Sequence, residues 1–301
     1  MIAAEIRDWV HAFLARMSEE RAVTNSTLAS YGSDLHHFAE AMERTGVLEP
    51  GALQAVHIHG YMNRLRMEGR TGATLARRLV ALRRLCRFGV IERIIERDPT
   101  LQVEAPKQEK KQPQALRRDQ LQLLLAAPDE VTPYGMRDRT MLALMYGSGL
   151  RVSELTALDV EHVRAEMGFL HCIGTGGRER IVPIGPDALR SLKRFLDEGR
   201  PALLKPDKPT RALFPNHLGT RMTRQGCWKI IKKHAEAVGI GEGLTPNRLR
   251  HSFAVHLLEN GADVRAVQEM LGHVSAQATQ KYHSASRVKV KDEYDRAFPR
   301  A

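Results

Sequence analysis

Four short stretches hold residues whose types and spacing suit work on an anion. In Gly147-Ser148-Gly149-Leu150-Arg151-Val152-Ser153-Glu154-Leu155, a glycine turn delivers Arg151 at the start of a helix. A helix N-terminus attracts anions through its unpaired N–H groups, and an arginine there adds a bidentate donor. In Thr245-Pro246-Asn247-Arg248-Leu249-Arg250-His251-Ser252-Phe253, Thr245 and Pro246 make a helix start, and Asn247 and Arg250, three apart, share a face of it. Gly174 to Pro183 reads as a hairpin whose basic tip holds Arg178 and Arg180. Lastly, Asn260-Gly261-Ala262-Asp263 stops one helix and caps the next, Leu271-Gly272-His273 follows, and Tyr282 stands nine residues beyond that histidine. Taken singly, each has a plainer reading: a capped helix with a surface arginine, a simple hairpin, a structural histidine, a tyrosine packing its ring.

The elements that must hold these residues are mostly helices. Ile6, Trp9, Val10, Phe13, Leu14 and Met17 fall on one helical stripe. Thr24, Asn25 and Ser26 are capping types ahead of Leu28, Tyr31, Leu35, Phe38 and Met42. Two more stripes run through Ile58, Tyr61, Met62 and Leu65 and through Leu75, Leu79, Leu82 and Leu85. Residues 1–106 are therefore expected to form a helical bundle. The polar run from Lys107 to Gln114 reads as a linker, placed at 107–115, and 116–301 as a second domain. In it, helical patterns surround two short apolar runs, Phe169 to Ile173 and Arg180 to Ile184, joined by Gly174-Thr175-Gly176-Gly177.

Charge narrows the function classes. The 301 residues carry 46 Lys and Arg against 35 Asp and Glu, a net charge of +11 that asks for a polyanionic partner, nucleic acid first. Between Arg64 and Arg97 ten arginines face three acids, Glu68, Glu92 and Glu96. Arginine used almost alone favours phosphate contact over a solvated face, because guanidinium bonds are planar and bidentate, and Arg77, Arg78, Arg83 and Arg84 are the expected contacts. No apolar run approaches the roughly 18 residues of a membrane span, and the start lacks the regions of a secretion signal, so a cytoplasmic protein is expected. Cys86, Cys172 and Cys227 lack any C-x-x-C spacing and read as reduced packing residues. His36-His37 and His57-x-His59 have no carboxylate or cysteine partner at a useful spacing, so a metal-dependent hydrolase is a distant reading.

Together, Gly-Leu-Arg-x-Ser-Glu-Leu, Leu-Arg-His-Ser-Phe-Ala, Leu-Leu-Glu-Asn-Gly-Ala-Asp and Leu-Gly-His before a tyrosine resemble the tyrosine recombinases, the phage integrase family, and within it the XerD branch of chromosome-dimer resolvases. The likeness extends to Thr132-Pro133-Tyr134-Gly135-Met136-Arg137-Asp138 and Arg180-Ile181-Val182-Pro183-Ile184-Gly185 and covers nearly the whole chain. It implies a mainly α protein with a small β-hairpin or sheet: an N-terminal SAM-like helical core-binding domain and a C-terminal mixed α/β catalytic domain, together a clamp on duplex DNA. By motif, Arg151 and Arg250 would hold the scissile phosphate, His273 would add a donor, and Tyr282 would be the nucleophile, with no metal or cofactor. The implied partners are a double-stranded recombination site, a sister recombinase in a DNA-bound tetramer, and a septal DNA translocase. The last helix, with Val290, Tyr294 and Phe298 on one stripe, would dock on a neighbouring protomer.

Two positions depart from the family pattern. Thr175 stands where the hairpin lysine would protonate the leaving oxygen, and Asn247 replaces a histidine. Neither can move a proton, and Arg178 nearby, with a guanidinium pKa above about 12, is a poor acid. Two readings of different class follow: a recombinase that cuts and rejoins strands through a 3′-phosphotyrosine, or a weakened, recombinase-derived DNA clamp that leaves the chemistry to a partner. A type IB topoisomerase shares the arginine, histidine and tyrosine chemistry but not the close motif match.

Overall fold

The computed structural model describes residues 5–20, 23–105, 115–174, 177, 179–272 and 294–298. The chain divides into two compact units, Met1–Lys111 and Gln112–Ala301. Most of the expected linker, Thr175, Arg178, His273, Tyr282 and Val290 lie outside the described residues.

The first unit is built from α1 (Ile6–Glu19), α2 (Asn25–Arg44), α3 (Ala55–Met67) and α4 (Gly72–Ile91). Each buries the stripe its spacing marks: Trp9, Val10 and Phe13 on α1, Leu35 and Phe38 on α2, Ile58 and Leu65 on α3, Leu79 and Leu82 on α4. A buried side chain of this kind contributes about 1.5–3 kcal/mol, against at most about 0.7 kcal/mol per ordinary residue from helix propensity. Packing therefore decides these helices, and capping trims their ends. Thr24 accepts a hydrogen bond from the Thr27 N–H and Thr71 one from the Thr74 N–H, both at 3.3 Å.

In the second unit, α5 (Arg118–Ala126) leads to α6 (Pro133–Gly147), which is buried from Met136 through Gly147 except at the partly exposed Arg139. A helix apolar on every side belongs in the middle of a domain. Around it lie α7 (Val152–Ala157), a three-stranded antiparallel sheet, α8 (Pro186–Arg194), a π-helical turn at Phe195–Gly199, α9 (Arg200–Leu203), α10 (Arg224–Ala237), α11 (Pro246–Glu259) and α12 (Val264–Leu271). The strands β1 (Val163–Arg164), β2 (Phe169–Ile173) and β3 (Glu179–Pro183) run in that order, with Leu170 opposite Val182 and Cys172 opposite Arg180. The fold is mainly helical with one small sheet. Among the described residues no helix is long and apolar enough to cross a membrane. All three cysteines are buried free thiols, and burial pushes Cys172 and Cys227 up to about 12.

Candidate functional site

A single carboxylate, Glu154, gathers three of the second unit's arginines. The chain leaves α6 through Ser148 and Gly149, the latter at φ +57°, where an added Cβ would stand 2.5 Å from the Phe253 ring. Only glycine turns here without strain or clash. Arg151 then caps α7, its backbone N–H donating to Glu154 Oε2 at 2.7 Å and its Nη1 to Oε1 at 2.9 Å. From β3, Arg180 donates Nη1 and Nη2 to the two oxygens of Glu154 at 2.6 and 2.8 Å, and Nε to the Met270 carbonyl at 2.9 Å. From α11, whose first turn Thr245 caps, Arg250 donates Nη1 to the Gly149 carbonyl at 2.7 Å and Nη2 to the Leu271 carbonyl, and lies 3.8 Å from Glu154.

Burial alone would raise the Glu154 carboxyl, but the Arg180 fork, helped by Arg151, holds it down at about 2. Burial, then the like charge of Arg151, lowers Arg250 to about 10 while Glu154 opposes them, so it stays protonated at neutral pH. Three guanidiniums against one carboxylate leave a positive site. Arg250 and Arg180 are mostly covered, whereas the Arg151 side chain is 39% exposed and accessible to an anion. Asn247 is exposed in the first turn of α11.

The structure thus gathers Arg151 and Arg250, and it adds Glu154 and Arg180. Glu154 was visible in the sequence as a residue three beyond Arg151, the capping-box spacing. Arg180 is not at the hairpin tip as its position suggests; it pairs with Cys172 inside β3 and turns inward. Of the stripe expected to dock on a neighbouring protomer, Val290 lies outside the described residues, and Tyr294 and Phe298 pack within their own unit. Tyr294 is fully buried in its own unit, its hydroxyl donating to the Gly147 carbonyl at 2.5 Å and its ring stacking on Phe298 at 4.7 Å. Asn260 Nδ2 donates to the Ala297 carbonyl at 2.7 Å, fastening the same segment.

In the first unit the four expected arginines part company. Arg77, Arg83 and Arg84 are exposed on α4, and Arg87 shares the face of Arg77 and Arg84. Arg77 donates to Asp34 at 2.5 Å, Arg83 to the Val103 carbonyl at 2.7 Å, and the Arg84 guanidinium sits 5.6 Å from the Tyr31 ring centroid. Arg78 turns inward. Its side chain is 11% exposed and lies 3.4 Å from Asp34, 2.6 Å from the Tyr61 hydroxyl and 2.9 Å from His37 Nδ1. Burial raises both the Asp34 carboxyl, against the pull of the two arginines, and the Tyr61 phenol, the latter to about 12.

Residues 114–287 match the phage integrase family, and residues 10–93 the N-terminal SAM-like domain of phage integrases. The tyrosine recombinase XerD of Listeria monocytogenes is 40% identical over 297 residues, covering 98% of this chain and 100% of that protein. The tyrosine recombinase XerD of Halalkalibacterium halodurans is 40% identical over 290 residues, 96% of this chain and 97% of that one. Among solved structures, a lambda integrase dimer bound to a COC′ core site has a TM-score of 0.69 at 20% identity, covering 93% of this chain and 98% of that one, a likeness of fold. With a family match over more than half of its length and full-length relatives at this identity, the chain belongs to the phage integrase family of site-specific tyrosine recombinases.

Proposed function

We propose that this recombinase cuts duplex DNA with Tyr282, with Arg151 and Arg250 holding the scissile phosphate and His273 as a further donor. The observation that carries the reading is the convergence of Arg151 and Arg250 beside Glu154, from the start of α7 and the first turns of α11. A phosphodiester in the approach to its transition state gains negative charge on the non-bridging oxygens, and preset guanidiniums stabilise that charge without reorganising. The Tyr282 hydroxyl gives up its proton as its oxygen bonds to phosphorus, the bond to the 5′ oxygen breaks, the 5′ oxygen takes up a proton in exchange, and a 3′-phosphotyrosine conserves the bond energy. A 5′ hydroxyl from the partner strand reverses the step and rejoins the DNA.

Thr175 and Asn247 bear on its rate, since a general acid contributes about 10²- to 10⁴-fold. Full-length likeness to curated tyrosine recombinases favours an enzyme over a clamp that leaves the chemistry to a partner. The exposed Arg77, Arg83 and Arg84 on α4, and Arg178 in the hairpin, supply phosphate contacts on the flanking duplex. The relatives' XerD name supports a cytoplasmic role in chromosome-dimer resolution at cell division, with a sister recombinase in a DNA-bound tetramer and a septal DNA translocase as partners. The test is incubation with a nicked suicide duplex. A covalent adduct on a denaturing gel, absent in Tyr282→Phe, is the expected outcome, and no adduct under any condition overturns the reading.

A further inference from the structure

Arg180, which is not assigned to the phosphate, is bound into the same site. Its terminal nitrogens fork both oxygens of Glu154, at 2.6 and 2.8 Å, while its Nε holds the Met270 carbonyl at 2.9 Å. The same guanidinium underlies Gly272, which ends α12 at φ +66° and where an added Cβ would stand 3.2 Å from Arg180 Cδ and 3.5 Å from Nε. Arg250 meanwhile holds the neighbouring Leu271 carbonyl. The last carbonyls of α12 are therefore fastened by two arginines that stand beside one carboxylate, at a helix end where unpaired C=O groups and the dipole welcome cations. The side chain of Arg180 is only 12% exposed and all three of its nitrogens are engaged within the protein, which suits it to hold its neighbours in place.

We infer that Arg180 is a positioning residue for strand cleavage: through Glu154 it sets Arg151, and through Met270 it sets the end of α12, two residues before His273. The inference rests on the reading that Arg151 and Arg250 hold the scissile phosphate. Its chemistry demands arginine. A lysine presents one point charge and cannot span a carboxylate fork and a carbonyl with fixed geometry.

The experiment uses the full chain as Arg180→Lys and Arg180→Met beside the parent and Arg151→Ala. Half-site duplex affinity, single-turnover adduct formation on a nicked suicide duplex, and the melting midpoint are measured, with cleavage followed well below each variant's own midpoint. Two substrates are compared, one ordinary and one with a 5′-bridging phosphorothiolate, whose thiol leaves without a proton. Both Arg180 variants should keep half-site affinity within about threefold and lose about 10²-fold in the adduct rate constant on both substrates, since a displacement near 1 Å costs about that much. Partial unfolding would instead lower the adduct's final amount and leave its rate constant alone. Parental rates in Arg180→Lys overturn the inference, because charge alone would then suffice. So do a defect confined to the ordinary substrate, which marks a proton donor, and an affinity loss as large as the rate loss, which marks a DNA contact or a failed fold. Arg151→Ala cutting as fast as the parent, or a parent that forms no adduct, overturns the underlying reading together with the inference, whereas Arg180 variants that cut normally while Arg151→Ala does not overturn the inference alone.

Discussion

Arg84 and Arg250 are both helix arginines, yet their surroundings oppose each other. Arg84 is exposed on α4 with its guanidinium over the Tyr31 ring, while Arg250 is buried in α11 with both terminal nitrogens on backbone carbonyls and two other arginines nearby. An exposed cation acts through screened, nearly independent Coulomb terms, so its contribution to DNA affinity should add to that of its neighbours and fade with salt. A buried cluster sharing one carboxylate acts through geometry, and its members should behave as a unit whose single deletions do not sum. Under the proposed function the two units would divide the work: salt-sensitive grip from the α4 face, and salt-insensitive precision from the Glu154 cluster.

The sharpest way to break that contrast is to remove the shared carboxylate. Glu154→Ala leaves three guanidiniums around an uncompensated site, and removing one partner of a buried ionic group costs about 3–5 kcal/mol. Urea or guanidinium titrations should show a loss of that size, with no comparable loss from replacing any single exposed arginine of α4. The effect should also depend on pH. The folded carboxyl is held near 2, below the ordinary 4.5, so the stability it contributes is complete above about 4.5 and is lost as pH falls through 2. Parent and Glu154→Gln should therefore converge in stability as pH drops across that window; a gap that widens instead would show that Glu154 is not the ionised centre.

Next in size is Arg250→Ala. Loss of one preset donor to a developing oxyanion costs about 10²- to 10³-fold in rate, so adduct formation on the suicide duplex should fall by that factor while half-site affinity changes little. An affinity loss matching the rate loss would move Arg250 to the gripping class with Arg84. A gain is expected from the family-altered positions. Thr175→Lys combined with Asn247→His should raise cleavage of an ordinary 5′-oxygen substrate by about 10²-fold and leave the phosphorothiolate substrate nearly unchanged. Equal gains on both substrates would assign the new groups to phosphate contact rather than proton transfer.

How much of this was legible beforehand depended on where the signal lay. The helical stripes of the first unit and the motifs around Arg151 and Arg250 were readable because period and local spacing carry them. α6 offers no stripe to detect, since it is a helix buried on nearly every side. β1 is two residues long, too short for any alternation. Arg180 was misplaced because the second hairpin strand begins at Glu179, one residue earlier than its apolar run suggests, which carries Arg180 off the tip and into the ladder. Tyr294 is marked in the sequence only as part of an amphipathic stripe, and a stripe does not say whose core it enters. Its partners, Gly147 and Phe298, lie in the same chain.

The smallest expected effect separates neighbours on one helix. Arg77 and Arg78 are adjacent, but a step of one residue turns about 100° around a helix, and Arg78 stands three residues after Leu75 and four before Leu82, both buried. It therefore turns in to Asp34, Tyr61 and His37, while Arg77, which also reaches Asp34, stays exposed with Arg84 and Arg87. If the α4 face grips phosphates, replacing Arg84 by Ala should reduce the magnitude of the slope of log affinity against log salt by about 0.9, the signature of one lost phosphate contact, and leave the melting midpoint almost unchanged. Arg78→Ala should do the reverse. The slope should hold, while stability falls by about 1–3 kcal/mol because the buried Tyr61 hydroxyl loses a hydrogen-bonding cation and the buried Asp34 carboxylate a neighbouring charge. Filter binding or fluorescence anisotropy across a salt series, paired with thermal melts of the same two variants, reads both quantities. Equal slope changes in the two variants would mean that Arg78 leaves its cluster to meet DNA, and the division between gripping and buried arginines would then fail inside the first unit itself.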